Sequence, residues 1–181
     1  MALVVVASAS AVVLYVRHEK GASAAKGADA DAPVTISSPH GDTTFVWPLP
    51  TVHFGDTVAQ VAKAFDFNGP PESMPMREHP RAFHNANRGI WFFFTPNDLL
   101  DEVRLDPPFS VPIAGVTFGS PSSVLHGIGA PKQVWNESLR AWNPVFVFTF
   151  GDVLVRYDLG PADTVSAIFL LRRMRAGRTA P

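Results

Sequence analysis

One pattern occurs twice along the chain, and an internal repeat constrains a fold more tightly than any bulk property. The first copy runs Val52-His53-Phe54-Gly55-Asp56-Thr57-Val58-Ala59-Gln60-Val61. The second runs Val116-Thr117-Phe118-Gly119-Ser120-Pro121-Ser122-Ser123-Val124, shortened at the turn. Each is a short alternating strand that ends in Phe-Gly and passes into a helix start. Thr57 and Gln60 have capping-box spacing, whereas Ser120 before Pro121 reads as an N-cap with proline at the first helical position. Val61 with Phe65, and Val124 with Ile128, then give each helix one apolar face. Asn68-Gly69-Pro70-Pro71 and Gly129-Ala130-Pro131 predict the stops, because glycine accepts a left-handed cap and proline cannot continue a helix.

Strand signals follow both helices. Ile90–Phe94 and Leu99–Leu105 flank the turn Thr95-Pro96-Asn97-Asp98, a hairpin pattern. The second half offers Lys132–Asn136, Val145–Phe150, Val153–Leu159 and Val165–Leu171, with Gly151-Asp152 between the middle pair. Between the first helix and its strands, Glu72 to Arg88 reads as a long polar loop. The expected fold class is therefore α+β, two tandem units that each pack a short helix on an antiparallel β-meander. The units would cover about residues 50–109 and 112–172 within a domain spanning 42–172.

The apolar-x-Phe-Gly-x-Thr/Ser-x-x-x-Val helix start, met at Phe54-Gly55-Asp56-Thr57 to Val61 and in shortened form at Phe118-Gly119-Ser120 to Val124, resembles that of outer-membrane-assembly lipoproteins of the SmpA type. In tandem form it is similar to that of the β-lactamase inhibitor protein. The resemblance covers roughly Thr51 to Leu171, and the cysteines common in the inhibitor family are missing. It implies a non-enzymatic, protein-binding role on an extracytoplasmic scaffold.

Composition narrows the function classes. With 46% apolar and 17% charged residues the chain can bury a core. A net charge of -1 lacks the basic footprint of a nucleic-acid binder. The absence of cysteine excludes thiol catalysis, disulfides and thiolate metal sites. Ala2 to Val16 is almost wholly apolar and is followed by Arg17, His18, Glu19 and Lys20, so residues 1–20 read as a signal or membrane anchor. Residues 21–41 are small and polar and read as a flexible linker. Arg172, Arg173, Arg175 and Arg178 mark a basic tail at 173–181. These ends predict a protein anchored in the inner membrane and facing the periplasm, or an exported one. Arg17 and Lys20 argue for the opposite orientation by the positive-inside rule.

Known catalytic signatures are missing: no phosphate loop, His-Glu-x-x-His, nucleophile elbow or dinucleotide fingerprint occurs. No catalytic residue, metal ligand or cofactor is assigned. Glu78, His79 and His84 are the sole metal suspicion, and their loop lacks a template to aim both imidazoles. His53, His126 and Asp56 fall beside the helix starts and read as structural. The candidate partner-binding residues are Arg81, Phe83, His84 and Arg88 in the polar loop, with Trp135 and Trp142 beside a turn, because Arg and aromatic residues dominate interface hot spots. The expected partner is a protein, either a toxin or enzyme held by an immunity or inhibitor protein, or a component of an envelope-assembly complex. A metal-assisted hydrolase is the remaining alternative.

Overall fold

A computed structural model describes residues 32–38, 41–136 and 141–173, apart from the side chains of residues 135, 136 and 141. The expected anchor, most of the linker and nearly all of the basic tail lie outside these residues. Among the described residues no helix is long and apolar enough to cross a membrane.

Strands dominate, at 46% against 10% helix, and this overturns the expected α+β pair of units. A ribbon of β1 (Val34–Ser38) and β2 (Gly41–Phe45) precedes helix α1 (Val58–Phe65). Then come β3 (Glu72–Ser73), β4 (Arg81–Asn85), β5 (Ile90–Phe94) and β6 (Leu100–Leu105). After helix α2 (Ser122–His126) the chain forms β7 (Lys132–Asn136), β8 (Ala141–Phe150), β9 (Val153–Leu159) and β10 (Val165–Arg172). All but the ribbon belong to one antiparallel sheet of eight strands in the order β3-β4-β5-β6-β10-β9-β8-β7. The last strand closes the sheet at its centre, pairing Ile168 with Leu105 and Leu170 with Val103 on one side, and Phe169 with Arg156 on the other.

The physical reason for the correction is the size of the helices. The first has eight residues and buries Val61, while the second has five and buries Ser122 and Leu125. Helices this short do not form the second layer of an α+β unit; they plug gaps beneath a continuous sheet. The capping box at Thr57 is formed: the Gln60 backbone N–H reaches Thr57 Oγ1, and the Thr57 N–H reaches the Gln60 carboxamide at 2.8 Å. Termination differs from expectation, because Asp66, not Gly69, takes the left-handed position at φ 53°. At the second helix Pro121 is the N-cap. Ser120 Oγ instead accepts from the Thr117 N–H at 3.2 Å, so no side chain caps this helix. Val124, expected on its buried face, is exposed.

What the repeated Phe-Gly motif builds is a backbone clip. Gly55 N–H donates to Leu100 O and Leu100 N–H to Asp56 O, both at 2.8 Å. Gly119 N–H donates to Val165 O and Val165 N–H to Ser120 O, both at 2.9 Å. Each clip fastens the segment before a helix to the start of β6 or β10. The glycines stand at φ 91° and 79°, where a side chain would be strained.

The segment expected to be a polar loop holds β3 and β4. Here the sequence shows no alternation, because the two buried residues, Ala82 and Phe83, are adjacent and lie on opposite faces, and the strand is specified by pairing with β5. The expected hairpin across Thr95–Asp98 does form, with Asp98 N–H bonded to Thr95 O at 3.0 Å.

The core lies on the side of the sheet that meets both helices and the ribbon. Phe92, Phe94, Val103, Val155, Tyr157, Ile168 and Leu170 pack there against Phe45, Trp47, Val61 and Leu125. Two buried polar tips are satisfied within it: Trp47 Nε1 donates to Val52 O, and Tyr157 O–H donates to Ile113 O at 2.8 Å.

One turn is tied to the sheet at close range. Gly89 has φ 64°, and a Cβ there would fall 2.0 Å from the carbonyl oxygen of Asp106. Gly115, at φ 79°, has open space around it. Gly115→Ala should therefore cost about 1 kcal/mol of left-handed strain, and Gly89→Ala at least about 2 kcal/mol through strain plus collision. Urea unfolding midpoints at unchanged m-value measure the difference.

Candidate functional site

The strand Ile90-Trp91-Phe92-Phe93-Phe94 is apolar at every position, so it places bulky rings on both faces of the sheet. Phe92 and Phe94 enter the core. Trp91 and Phe93 point to the opposite face, where Trp91 is half-buried and Phe93 buried, and they stack with near-parallel rings 5.9 Å apart. Antiparallel register carries the row across five strands: His84 opposite Trp91, Trp91 opposite Arg104, Arg104 opposite Phe169, and Phe169 opposite Arg156.

These side chains form a ladder of planar groups. The His84 ring lies on Trp91 with centroids 3.7 Å apart and planes 7° from parallel. Arg104 and Arg156 flank the Phe169 ring, their guanidinium carbons 5.5 and 4.7 Å from its centroid. Each arginine is paired with a carboxylate two residues further along the chain. Arg104 Nε donates to Asp106 at 3.0 Å, and Arg156 donates to Asp158 through Nε and Nη2 at 2.6 Å. The face is thus aromatic, guanidinium-rich and locally charge-balanced.

An irregularity in β6 adds a second cluster. Phe93 pairs with Glu102 but Phe94 with Leu100, so Asp101 is an extra, bulged residue. The bulge brings two consecutive carboxylates to one imidazole: His79 lies 3.6 Å from Asp101 and 3.8 Å from Glu102, with its ring 6.0 Å from Phe93. His79 sits on the segment joining β3 to β4, which closes through the Met74 N–H to Pro80 O bond at 2.8 Å. Burial pulls the His79 pKa down, but Asp101, Glu102 and Glu78 outweigh it and leave the pKa raised. Burial also raises that of Glu102, against the opposing pull of His79, Arg156 and Arg104. His84 is shifted the other way, its charged form disfavoured by burial.

At the β4–β5 end of this face an open cleft of about 360 Å³ is bordered by Met74, His84, Trp91, Phe93, Arg104 and Asp106, with the turn at Ala86 and Gly89 and with Pro107 closing its end.

The sequence-predicted partner residues do not form one patch. Arg81 pairs with Asp98, and Phe83 is buried in the core, stacked on Phe67 at 4.4 Å. Arg88 is exposed over the Phe65 ring, 5.5 Å from its centroid. His84 alone of the six stands in the open-face ladder. Trp142 is 64% exposed on β8, opposite Trp135 in the register; the Trp135 side chain is outside the described residues. Of the metal suspects, His79 is engaged by Asp101 and Glu102 and His84 by Trp91, and no cluster of three or more His, Asp or Glu is placed to hold an ion among the described residues. His53 stacks on Trp47, Asp56 accepts from the His53 N–H at 2.7 Å, and His126 stands edge-on to Phe146. Sequence reasoning missed Trp91, Arg104, Arg156 and Phe169. Their available signal was the unbroken apolar run at 90–94 together with the single arginine that each of β6 and β9 carries beside its carboxylates.

The geometry defines an antiparallel-sheet protein with one face against its core and the other carrying an aromatic-guanidinium ladder. No family model matches the chain, and no curated protein matches it. Among solved structures it is similar to a DUF4309 family protein from Bacillus subtilis, at 16% identity and a TM-score of 0.46, over 65% of this chain and 78% of that one. It is also similar to a cysteine-rich secretory protein from Staphylococcus aureus, at 12% identity and a TM-score of 0.42, over 66% of this chain and 43% of that one.

The two raised pKa values act in the same direction. A group that binds protons more tightly when folded stabilises the fold at low pH and loses that contribution as pH rises through its folded pKa. For His79 the loss begins near the ordinary histidine value of about 6.5 and continues upward. The stability difference between the wild type and His79→Gln should therefore fall as the pH is raised from 6 to 9. Urea titrations across that range test it, and a pH-independent difference would remove His79 from the account.

Proposed function

We propose that the chain is a non-enzymatic extracytoplasmic protein-binding module that engages its partner through the open face of the sheet. The observation that carries this is the cross-strand row Trp91, Arg104, Phe169 and Arg156. Arginine and tryptophan are the side chains that concentrate binding energy in protein interfaces. Burying an unpaired charge under a partner is costly, but Arg104 and Arg156 already hold Asp106 and Asp158, so this face can be covered without stranding an ion. An immunity or inhibitor protein that blocks a toxin or enzyme is the sharpest form of the reading, supported by the resemblance of its two Phe-Gly segments to those of the inhibitor family. An envelope-assembly component is the coarser alternative.

The test is capture from envelope extract by the wild type and by two face variants, Arg156→Ala and Phe169→Ser, with Val124→Ser on exposed α2 as the control. A discrete partner should be retained by the wild type and the control, and bound at least about thirtyfold more weakly by the face variants, the size of a hot-spot loss. Recovery of the same proteins by all four, or of none by the wild type, removes the proposal. Near-ultraviolet circular dichroism confirms that the variants stay folded.

A further inference from the structure

We propose that the cleft bordered by Trp91, Arg104 and Asp106 binds a neutral sugar ring, a hexopyranose unit of a polysaccharide. The inference goes beyond the protein-binding reading: it shares Trp91 and Arg104 with that row and adds His84 and Asp106. At about 360 Å³ the cleft stands at the lower end of small-ligand sites, roughly 300–1,000 Å³, room for one ring or two. It is open, which lets a chain of rings continue out of it.

The walls select the chemistry. His84 and Trp91 present stacked aromatic surface, and Met74, Phe93 and Pro107 add apolar edges. One face of the Trp91 ring is covered by His84, so the seat for a sugar is an outer face of this stack, where an electron-rich aromatic surface attracts the polarised C–H bonds on a pyranose's hydroxyl-poor side. The polar edge is an adjacent donor and acceptor. Arg104 meets both Asp106 oxygens through Nε at 3.0 Å, a contact that does not use its terminal NH2 groups or all of the carboxylate's lone pairs. A vicinal diol fits that pair: one hydroxyl donates to Asp106 while its neighbour accepts from Arg104.

Charge argues against the alternatives. An anionic ligand would compete with Asp106 for Arg104, and a cationic one would compete with Arg104 for Asp106. Either would have to break the 3.0 Å ion pair, whereas a neutral polyol adds to it. Burial disfavours the charged form of His84, which keeps that wall neutral as well. The end of the cleft is held in place before any ligand arrives. Asp106 N–H is bonded to Gly89 O at 2.8 Å, and the Asp106 carbonyl packs where a Cβ on residue 89 would stand. A preset wall lowers the ordering cost of binding.

The full chain is titrated with the methyl pyranosides of glucose, galactose, mannose and N-acetylglucosamine and with their neutral oligosaccharides. Binding is read from the Trp91 indole N–H resonance. Glucuronic acid and glucosamine serve as charged counterparts. At least one neutral sugar should shift that resonance saturably, at about millimolar concentration for a single ring and more tightly for an oligosaccharide. Asp106→Asn should weaken binding about tenfold and Trp91→Ala should abolish it, the latter read by saturation-transfer difference NMR of the sugar because that substitution removes the indole probe. Val124→Ser, on α2 and outside the cleft lining, should leave it unchanged. No saturable shift at tens of millimolar, equal or tighter binding of the charged sugars, or binding that survives both cleft variants overturns the proposal. Sugar binding without partner capture sinks only the protein-binding reading, and capture without sugar binding sinks only this one.

Discussion

Everything on the open face depends on where β10 is inserted. The last strand of the chain runs between β6 and β9 and hydrogen-bonds to both, so the two meanders become one sheet only when the C-terminal strand docks. That insertion places Phe169 between Arg104 and Arg156 and joins the core residues Ile168 and Leu170 to both halves. Backbone pairing and side-chain register therefore arise together: a slip of one residue along β10 would send Phe169 into the core and Leu170 to the open face. The two Phe-Gly clips resist such a slip, because they tie Leu100 at the start of β6 and Val165 at the start of β10 to the segments that precede the helices.

Local chemistry was legible in the sequence wherever a short segment decides its own conformation. Thr57 and Gln60 form their capping box, the Thr95–Asp98 turn forms its hairpin, and the four later strands fall where β-branched and aromatic residues cluster. The failures share a cause. Arg81–Asn85 is polar at three of its five positions, with no alternation, and becomes a strand because β5 offers it a partner. Ser120 has the composition of a cap, yet its hydroxyl turns back to Thr117. Asp66 ends the first helix before the Gly-Pro stop is reached. The duplicated motif was visible, but its consequence was not: it encodes the fastening of two strand starts, and helices of eight and five residues add too little surface to make a second layer.

The site was less legible than the fold because its residues converge through register. Trp91, Arg104, Phe169 and Arg156 are distant in sequence and become neighbours only after three strand pairings are fixed. Arginine and aromatic content directed attention to the right residue types, and of the positions chosen His84 reached the face while Phe83, its neighbour, turned into the core. That split is the period of a strand acting on a segment read as a loop. The bulge at Asp101 was beyond sequence reasoning altogether, since an extra residue in β6 is recognisable only against the count in β5.

The bulge also explains how a largely buried carboxylate is tolerated on this face. Glu102 lies between Phe93 and Leu171 in the register, an apolar setting that raises the cost of its charge. Three cations offset that cost: His79 from the segment above it, Arg104 two positions along its own strand, and Arg156 across the sheet. Asp101, turned by the bulge to the same imidazole, strengthens the His79 charge on which this balance draws. Proton gain by Glu102 and proton loss by His79 each weaken their mutual attraction from opposite ends of the pH scale. The segment carrying His79 also carries Met74 into the wall of the cleft. The ionic fastening and the cleft are accordingly two parts of one structure, held in register by a single additional residue in β6.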